Sequence, residues 1–281
     1  MTDQIFAGLE VRDLVVDFDG FKAVGGVDLT VPRNDLRFLI GPNGAGKTTI
    51  VDAITGLVSA TGSAMFGEQE LIGRKTHQIA RLGVGRTFQT STVFEELSVL
   101  QNLDIAAGAG RSPWQLVRKR KGIDARLEEV LETIGLSSVV HRQAGILAHG
   151  QKQWLEIGML LMQDVKLLLL DEPVAGMSQD ERDATGELLQ QIAASGNRTV
   201  VIVEHDMEFL RKFAQSVTVL HAGKILSEGS VAEVQADPKV QEVYLGTAAV
   251  PADVVVPGQG APAEDTVVPL PDDTTDPAGR P

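Results

Sequence analysis

The chain has 281 residues, 43% of them apolar, which is enough for one large α/β domain or two modest ones with a real core. It has no cysteine, which excludes disulfides, thiol catalysis and cysteine metal sites. Its net charge of −13 argues against nucleic acid as a partner, since such binders carry a basic face or domain.

No apolar run approaches the roughly 18 residues that span a bilayer, and the N-terminus lacks a basic stretch followed by an apolar one. A soluble cytosolic protein is the expectation. The five histidines, at 77, 141, 149, 205 and 221, show no metal-ligand spacing.

Residues 8–32 alternate apolar and polar and predict two or three strands: Leu9-Glu10-Val11, Leu14-Val15-Val16, and Val27 to Val31. Phe18 and Phe21 fall in the turn around Gly20. Either ring could stack on a nucleotide base, but pattern alone favours packing on the sheet. Leu36 to Ile40 reads as a short apolar strand.

The stretch Gly41 to Thr49, GPNGAGKTT, follows at once. It fits G-x-x-x-x-G-K-[ST], with Gly41, Gly46, Lys47 and Thr48 in the required places. A helix is predicted over Lys47 to Leu57, with Ile50, Ala53, Ile54 and Leu57 on one face. Strand, glycine loop and helix together make a phosphate cradle. Glycines let backbone N–H groups converge on phosphate oxygens, and the helix points its N-terminus at the same anion. Lys47 is expected to reach the β- and γ-phosphates and the Thr48 hydroxyl to ligate Mg²⁺. Pro42, Asn43, Gly44, Ala45 and Thr49 complete the expected nucleotide-binding stretch.

A strand from Gly62 to Phe66, a short helix around Thr76 to Leu82 and a strand from Val84 to Gln89 come next. From Ser98 to about Met162 the pattern is helical. Ser98 and Gln101 have capping-box spacing, and Leu127, Val130, Leu131 and Ile134 recur at i, i+3, i+4, i+7. A helical block, about 95–162, is therefore inserted between α/β segments. Its loop, Gly108 to Gly122, holds the basic run Arg118 to Lys121. That run reads as a solvated face before it reads as a lipid-headgroup contact.

Val165 to Leu170 is an uninterrupted apolar run, as in a central parallel strand, and it ends in Asp171-Glu172-Pro173. Ser178 and Glu181 have capping-box spacing and open a helix to about Ala194. Thr199 to Val203 is another buried strand, ending in Glu204-His205-Asp206. A helix, a strand from Val217 to His221 and a helical region capped by Ser230 and Glu233 follow, ending near Leu245. Residues 247–281 are rich in Pro and Asp and are expected to form a disordered acidic tail.

Phosphate binding alone does not hydrolyse a nucleotide. Asp171, at the end of a buried strand, can hold Mg²⁺ through water, and Glu172 suits a general base for the attacking water. Gln89 and His205 each end a predicted strand, where ligand crevices of parallel sheets lie. Both are placed to reach a γ-phosphate or its water. Thr48, Gln89 and Asp171 form the expected metal set. Ala148, His149, Gly150 and Gln151 open a helix and make a second anion site. One nucleotide does not need two cradles from one chain, so the second is expected to serve a nucleotide on another subunit.

This set of motifs resembles the ATP-binding subunits of ABC transporters over about residues 8–245. GPNGAGKT is similar to Walker A, LLLLDE to Walker B and LAHGQ to the LSGGQ signature. Gln89 resembles the Q-loop glutamine, His205 the H-loop histidine, and Phe18 stands where the family's base-stacking aromatic sits. The resemblance implies an α/β fold: a P-loop NTPase core of ABC ATPase type, with an antiparallel β subdomain and an inserted helical subdomain in residues 1–246. It implies ATP and Mg²⁺ as cofactors, and a head-to-tail dimer with a second ABC ATPase subunit. It also implies two transmembrane permease subunits, an extracytoplasmic substrate-binding protein, and a cytoplasmic position at the inner face of the membrane.

Within the family, HGQKQWLEIGMLLMQD and DEPVAGM resemble the urea-importer ATPase subunit, a member of the branched-chain amino acid importer branch. Urea is the first expectation for the cargo and branched-chain amino acids the alternative. A non-transport ABC ATPase ranks third, since the chain lacks a second cassette and a long coiled coil. A GTPase is disfavoured by the lack of an N-K-x-D base reader.

Two positions depart from the family pattern. The signature serine is Ala148, and losing that hydrogen bond to a charged group costs roughly 1.5–3 kcal/mol. The Gly150 amide is expected to remain available, so the nucleotide held by the partner should turn over more slowly rather than not at all. The D-loop aspartate position is Ser178.

Overall fold

The computed structural model describes residues 7–87, 93–108 and 125–247. Two sheets organise them. The first has β1 (Ala7–Phe18), β2 (Phe21–Pro32), β4 (Thr61–Phe66) and β5 (Gln69–Glu70), in the antiparallel order β2-β1-β4-β5. The short strands expected over 8–16 merge into β1. A register shift between Val11 and Leu14, with Asp13 at φ 44°, bends the strand without ending it. The hairpin closes on Asp19 and Gly20, both at positive φ, as a tight two-residue turn requires.

The second sheet has β3 (Leu36–Ile40), β6 (Val84–Arg86), β7 (Leu167–Asp171), β8 (Thr199–Val203), β9 (Ser216–His221) and β10 (Lys224–Gly229). Its order is β10-β9-β3-β8-β7-β6, parallel except for β10. β3, β7 and β8 are buried at every residue, which is why they read as continuous apolar runs.

Alternate residues of these strands feed two cores. Phe38, Leu168, Leu170 and Ile202 face the helical side, while Leu39, Leu169, Val201 and Val203 face the first sheet and α1 (Lys47–Ile54). That helix is shorter than the sequence predicts. Gly56, at φ 71°, turns the chain away, and Leu57 is 48% exposed rather than on the buried face. A short helix, α2 (Thr76–Arg81), leads into β6.

Among the described residues, the helical block holds α3 (Val99–Gly108), α4 (Ala125–Thr133) and α5 (His149–Met162), with 3₁₀ turns at Ser137–Val139 and Ala144–Ile146. Leu127, Val130, Leu131 and Ile134 are all buried, as their spacing predicts. The Ser98 capping box forms: Gln101 N donates to Ser98 Oγ at 3.2 Å and Ser98 N to Gln101 Oε1 at 2.8 Å. The chain closes with α6 (Gln179–Ala194), α7 (Met207–Phe213), α8 (Val231–Ala236) and α9 (Pro238–Thr247).

Three sequence expectations concern segments outside the described residues: Gln89, the basic run Arg118 to Lys121 with its loop, and the tail from 248 onward. α9 runs through Thr247, one residue into the expected tail. Among the described residues, no helix is long and apolar enough to cross a membrane.

Candidate nucleotide-binding site

β3, β8 and β7 are adjacent, so the residues that follow their carboxyl ends meet in one region. Gly41 to Gly46 follow β3. A Cβ at Gly41 would lie 2.2 Å from the Leu220 carbonyl oxygen, and one at Gly46 would lie 2.7 Å from that of Ala23. Both glycines are at positive φ, 152° and 101°, so the backbone approach and the torsion each demand them. The loop is tied to the β9–β10 turn. Gly223 N donates to the Ala45 carbonyl at 3.0 Å, and Gly25 N donates to that of Gly223 at 2.9 Å.

Lys47 Nζ donates to the Gly41 carbonyl at 2.8 Å and to that of Pro42 at 3.1 Å. Partial burial lowers the Lys47 pKa, while the nearby charges of Glu172 and Asp171 oppose that shift. Asn43, Gly44 and Thr48 are exposed, and Pro42 and Thr49 are half-buried, so the loop's rim is open to solvent.

Phe18 and Phe21 do not pack on the sheet, contrary to the pattern-based expectation. They pair at the tip of the first hairpin, 48% and 68% exposed, because the tip has no covering layer. Phe18 therefore offers an open ring at the hairpin tip.

Asp171 ends β7 with its side chain only 1% exposed. Oδ2 is 3.1 Å from a guanidinium nitrogen of Arg86, while Oδ1 is buried with no hydrogen-bond partner among the described residues. Burial raises the Asp171 pKa, and Arg86 opposes it.

Glu172 adopts φ 48°, left-handed for a residue with a side chain. Its N donates to the Val203 carbonyl at 2.9 Å, and its carbonyl accepts from Ala175 N at 3.2 Å. This turn brings consecutive acids toward Lys47, which a continuing strand would have split between its two faces. Glu172 Oε1 lies 3.4 Å from His205 Nδ1.

Sequence reasoning gave Glu204 no role. It is buried beside His205, with His205 Nδ1 at 3.7 Å from its Oε2. Oε2 accepts from His205 N at 2.8 Å and Asp206 N at 3.1 Å, which shapes the turn carrying the histidine. Its Oε1 is buried without a partner among the described residues, and burial raises its pKa. The available signal was an acid placed directly after an apolar strand. Arg182 braces the same turn from α6, bonding Asp206 at 2.7 Å and the Met177 carbonyl at 3.2 Å.

Ala148 caps α5 with half of a capping box: its N donates to Gln151 Oε1 at 3.2 Å, but it has no side-chain oxygen to return. Ala148 and His149 are exposed and Gly150 is buried. The ring Nε2 of His149 is 3.1 Å from the Ala175 carbonyl oxygen. Glu181 stands against Gly150: a Cβ added there would lie 2.8 Å from Glu181 Oε1, and the Gly150 amide is among the groups that lower the Glu181 pKa. The other oxygen of Glu181 accepts from Ser178 N at 3.0 Å and Ser178 Oγ at 2.8 Å. These bonds lower the Glu181 pKa, those from Ser178 most strongly. The contacts of this second anion site thus run to Ala175 and Glu181, not to the glycine loop.

A glycine loop between a parallel strand and a helix, facing a buried acid on a nearby strand end, defines a P-loop nucleotide-binding fold. The family model described as ABC transporter matches residues 24–175, and the one described as Branched-chain amino acid ATP-binding cassette transporter matches 224–250. The chain belongs to the ABC transporter family, as one of its ATPases.

It is 35% identical over 251 residues to the high-affinity branched-chain amino acid transport ATP-binding protein BraF of Pseudomonas aeruginosa, covering 85% of this chain and 98% of that protein. The same figures hold for LivG of Escherichia coli K12, which bears the same description. Among solved structures, it is similar to the ADP conformation of an ATP-binding cassette of an ABC transporter. There the TM-score is 0.74 at 32% identity, covering 85% of this chain and 99% of that one. A nucleotide-free cassette gives 0.74 at 31%, covering 85% and 98%.

Proposed function

We propose that this chain is the ATP-hydrolysing subunit of an importer in the branched-chain amino acid branch, with branched-chain amino acids as its cargo. The observation that carries this reading is the match of residues 224–250 to the branched-chain cassette family, beyond the motifs common to all ABC ATPases. The names of its relatives favour the same cargo over urea. Urea remains the second reading, on the resemblance of the segments HGQKQWLEIGMLLMQD and DEPVAGM to the urea-importer subunit.

In this reading the loop amides and Lys47 hold the β- and γ-phosphates. The exposed Thr48 hydroxyl and the unpartnered Asp171 Oδ1 are hard oxygen donors and fit Mg²⁺, with Gln89 as the third member of the set. Bound there, Mg²⁺ would neutralise phosphate charge. Glu172 would take the proton of the attacking water, with His205 beside it toward the γ-phosphate. Phe18 would stack on the base. Ala148, His149, Gly150 and Gln151 would face the nucleotide of a second ATPase subunit, paired head to tail.

Two permeases would hold this pair at the inner face of the membrane, supplied by an external binding protein. A groove of about 310 Å³ between α2, β6 and α5, lined by Leu57, Ile79, Val84, Met159 and Leu160, suits a short permease segment.

The test is ATPase activity in vesicles carrying the assembled importer and its binding protein. Stimulation by leucine, isoleucine or valine supports the first reading. Stimulation by urea alone replaces it with the second, and no response to either overturns import of both.

A further inference from the structure

Arg86, the last residue of β6, joins three elements of the site. Its side chain is 8% exposed and lies between two carboxylates: Asp52 on α1, the helix that grows from the glycine loop, and Asp171 at the end of β7. One guanidinium nitrogen pairs with Asp52, and another lies 3.1 Å from Asp171 Oδ2.

The backbone here does not depend on that side chain. β6 and β7 are already paired, with Arg86 opposite Leu169. Thr87 N donates to the Leu169 carbonyl at 3.1 Å, and Asp171 N donates to Thr87 Oγ1 at 3.4 Å. What the guanidinium adds is control of a carboxylate. It takes one oxygen of Asp171, and the other is buried without a partner among the described residues. A buried polar atom left unmatched calls for an explanation, and a buried ion pair is weak evidence for stability as its purpose.

We propose that Arg86 is a positioning residue for the nucleotide's metal ion: braced on Asp52, it grips Asp171 Oδ2 and aims Oδ1 at Mg²⁺. This inference rests on the reading above that Asp171 faces Mg²⁺. The planar fork of arginine reaches two carboxylates at once, and the point charge of lysine does not. The same fork sets the distance between the glycine-loop helix and the strand that carries Asp171. Phosphates and metal are thereby presented in one frame.

The experiment compares wild type, Arg86→Lys, Asp52→Asn and Asp171→Asn as full-length protein. Three quantities are read: the Mg²⁺ concentration for half-maximal ATPase activity, the affinity for a fluorescent ATP analogue in EDTA, and the melting temperature. Arg86→Lys is expected to raise the half-saturating Mg²⁺ about tenfold, as loss of an outer partner of a metal ligand does, with affinity in EDTA unchanged. Asp52→Asn should move it in the same direction by less, and it carries the test if the lysine variant does not fold.

A shift in Asp171→Asn with none in the Arg86 and Asp52 variants would overturn the inference and spare the reading of Asp171. No shift in Asp171→Asn would overturn both. A parallel fall of EDTA affinity and melting temperature, with Mg²⁺ dependence intact, would reduce Arg86 to a structural ion pair.

Discussion

The Glu181 carboxylate stands against Gly150, 31 residues earlier in the chain, where a Cβ would meet its Oε1 at 2.8 Å, and the Gly150 amide helps to lower its pKa. The N-terminus of α5 therefore already holds an anion, and that anion is the protein's own. In the proposed head-to-tail pair, a phosphate from the sister subunit would share or displace it, at a cap that lacks the serine hydroxyl.

Glu181→Gln keeps an oxygen for Ser178 and removes the charge. In a Glu172→Gln background, ATP-driven pairing with the sister cassette should tighten about two- to fivefold, the size of a single charge effect at a helix end. Analytical ultracentrifugation at fixed ATP measures it. Unchanged or weaker pairing would mean that Glu181 serves only as the cap of α6.

Glu172→Gln should retain ATP binding and lose at least about 100-fold in turnover, the usual contribution of a positioned base. The substitution leaves the left-handed turn at residue 172 intact, so the melting temperature should hold. Single-turnover hydrolysis checks this, and a rate near wild type would remove Glu172 from the proton-transfer role.

Lys47→Ala should abolish ATP binding with little change in stability. Lys47 Nζ bonds the carbonyls of Gly41 and Pro42, which solvent can satisfy instead. Equilibrium binding of a fluorescent nucleotide, beside a thermal melt, separates the two effects.

Gly41→Ala should be far more damaging than Gly44→Ala. At residue 41 the new methyl meets the Leu220 backbone oxygen, while at residue 44 nothing lies within 4 Å. The second substitution should cost only the torsional penalty of a left-handed residue, roughly 1–2 kcal/mol. Denaturant titration of both proteins ranks them, and equal losses would contradict the packing of the loop against β9.

Stability should depend on pH through Glu204. Burial raises its pKa in the folded state above the ordinary 4.5, so the native protein retains a proton that the unfolded chain has released. Its contribution is therefore fully present below pH 4.5 and is lost as pH rises from there through the shifted value. Glu204→Gln, which cannot ionise, should gain melting temperature relative to wild type at pH 7 and lose that advantage near pH 4.5. Melts across that range decide it, and a constant difference would show that the acid does not titrate there.

Much of this was legible in the sequence because it is local. Fully buried strands read as apolar runs. The capping boxes at Ser98, Ser178 and Ser230 all form as their spacing predicts. The glycine loop stands where its motif puts it. What sequence could not show is side-chain pairing across the fold. Arg86 reaches Asp52 across 34 residues and Asp171 across 85, and no periodicity encodes either contact. Phe18 and Phe21 were misread as packed because alternation shows that a strand has two faces, not whether anything covers its end. Leu57 kept helical spacing with Ile50, but Gly56 had already turned the chain.

The bridge from Gly223 to Ala45 and Gly25 means that the phosphate cradle is finished by a turn more than 170 residues downstream of it. A fragment ending just after His205 would carry every nucleotide-binding motif and still lack the Leu220 carbonyl and the Gly223 amide against which the cradle is moulded. A nascent chain should therefore gain its grip on the nucleotide only after synthesis has gone well past the last of those motifs.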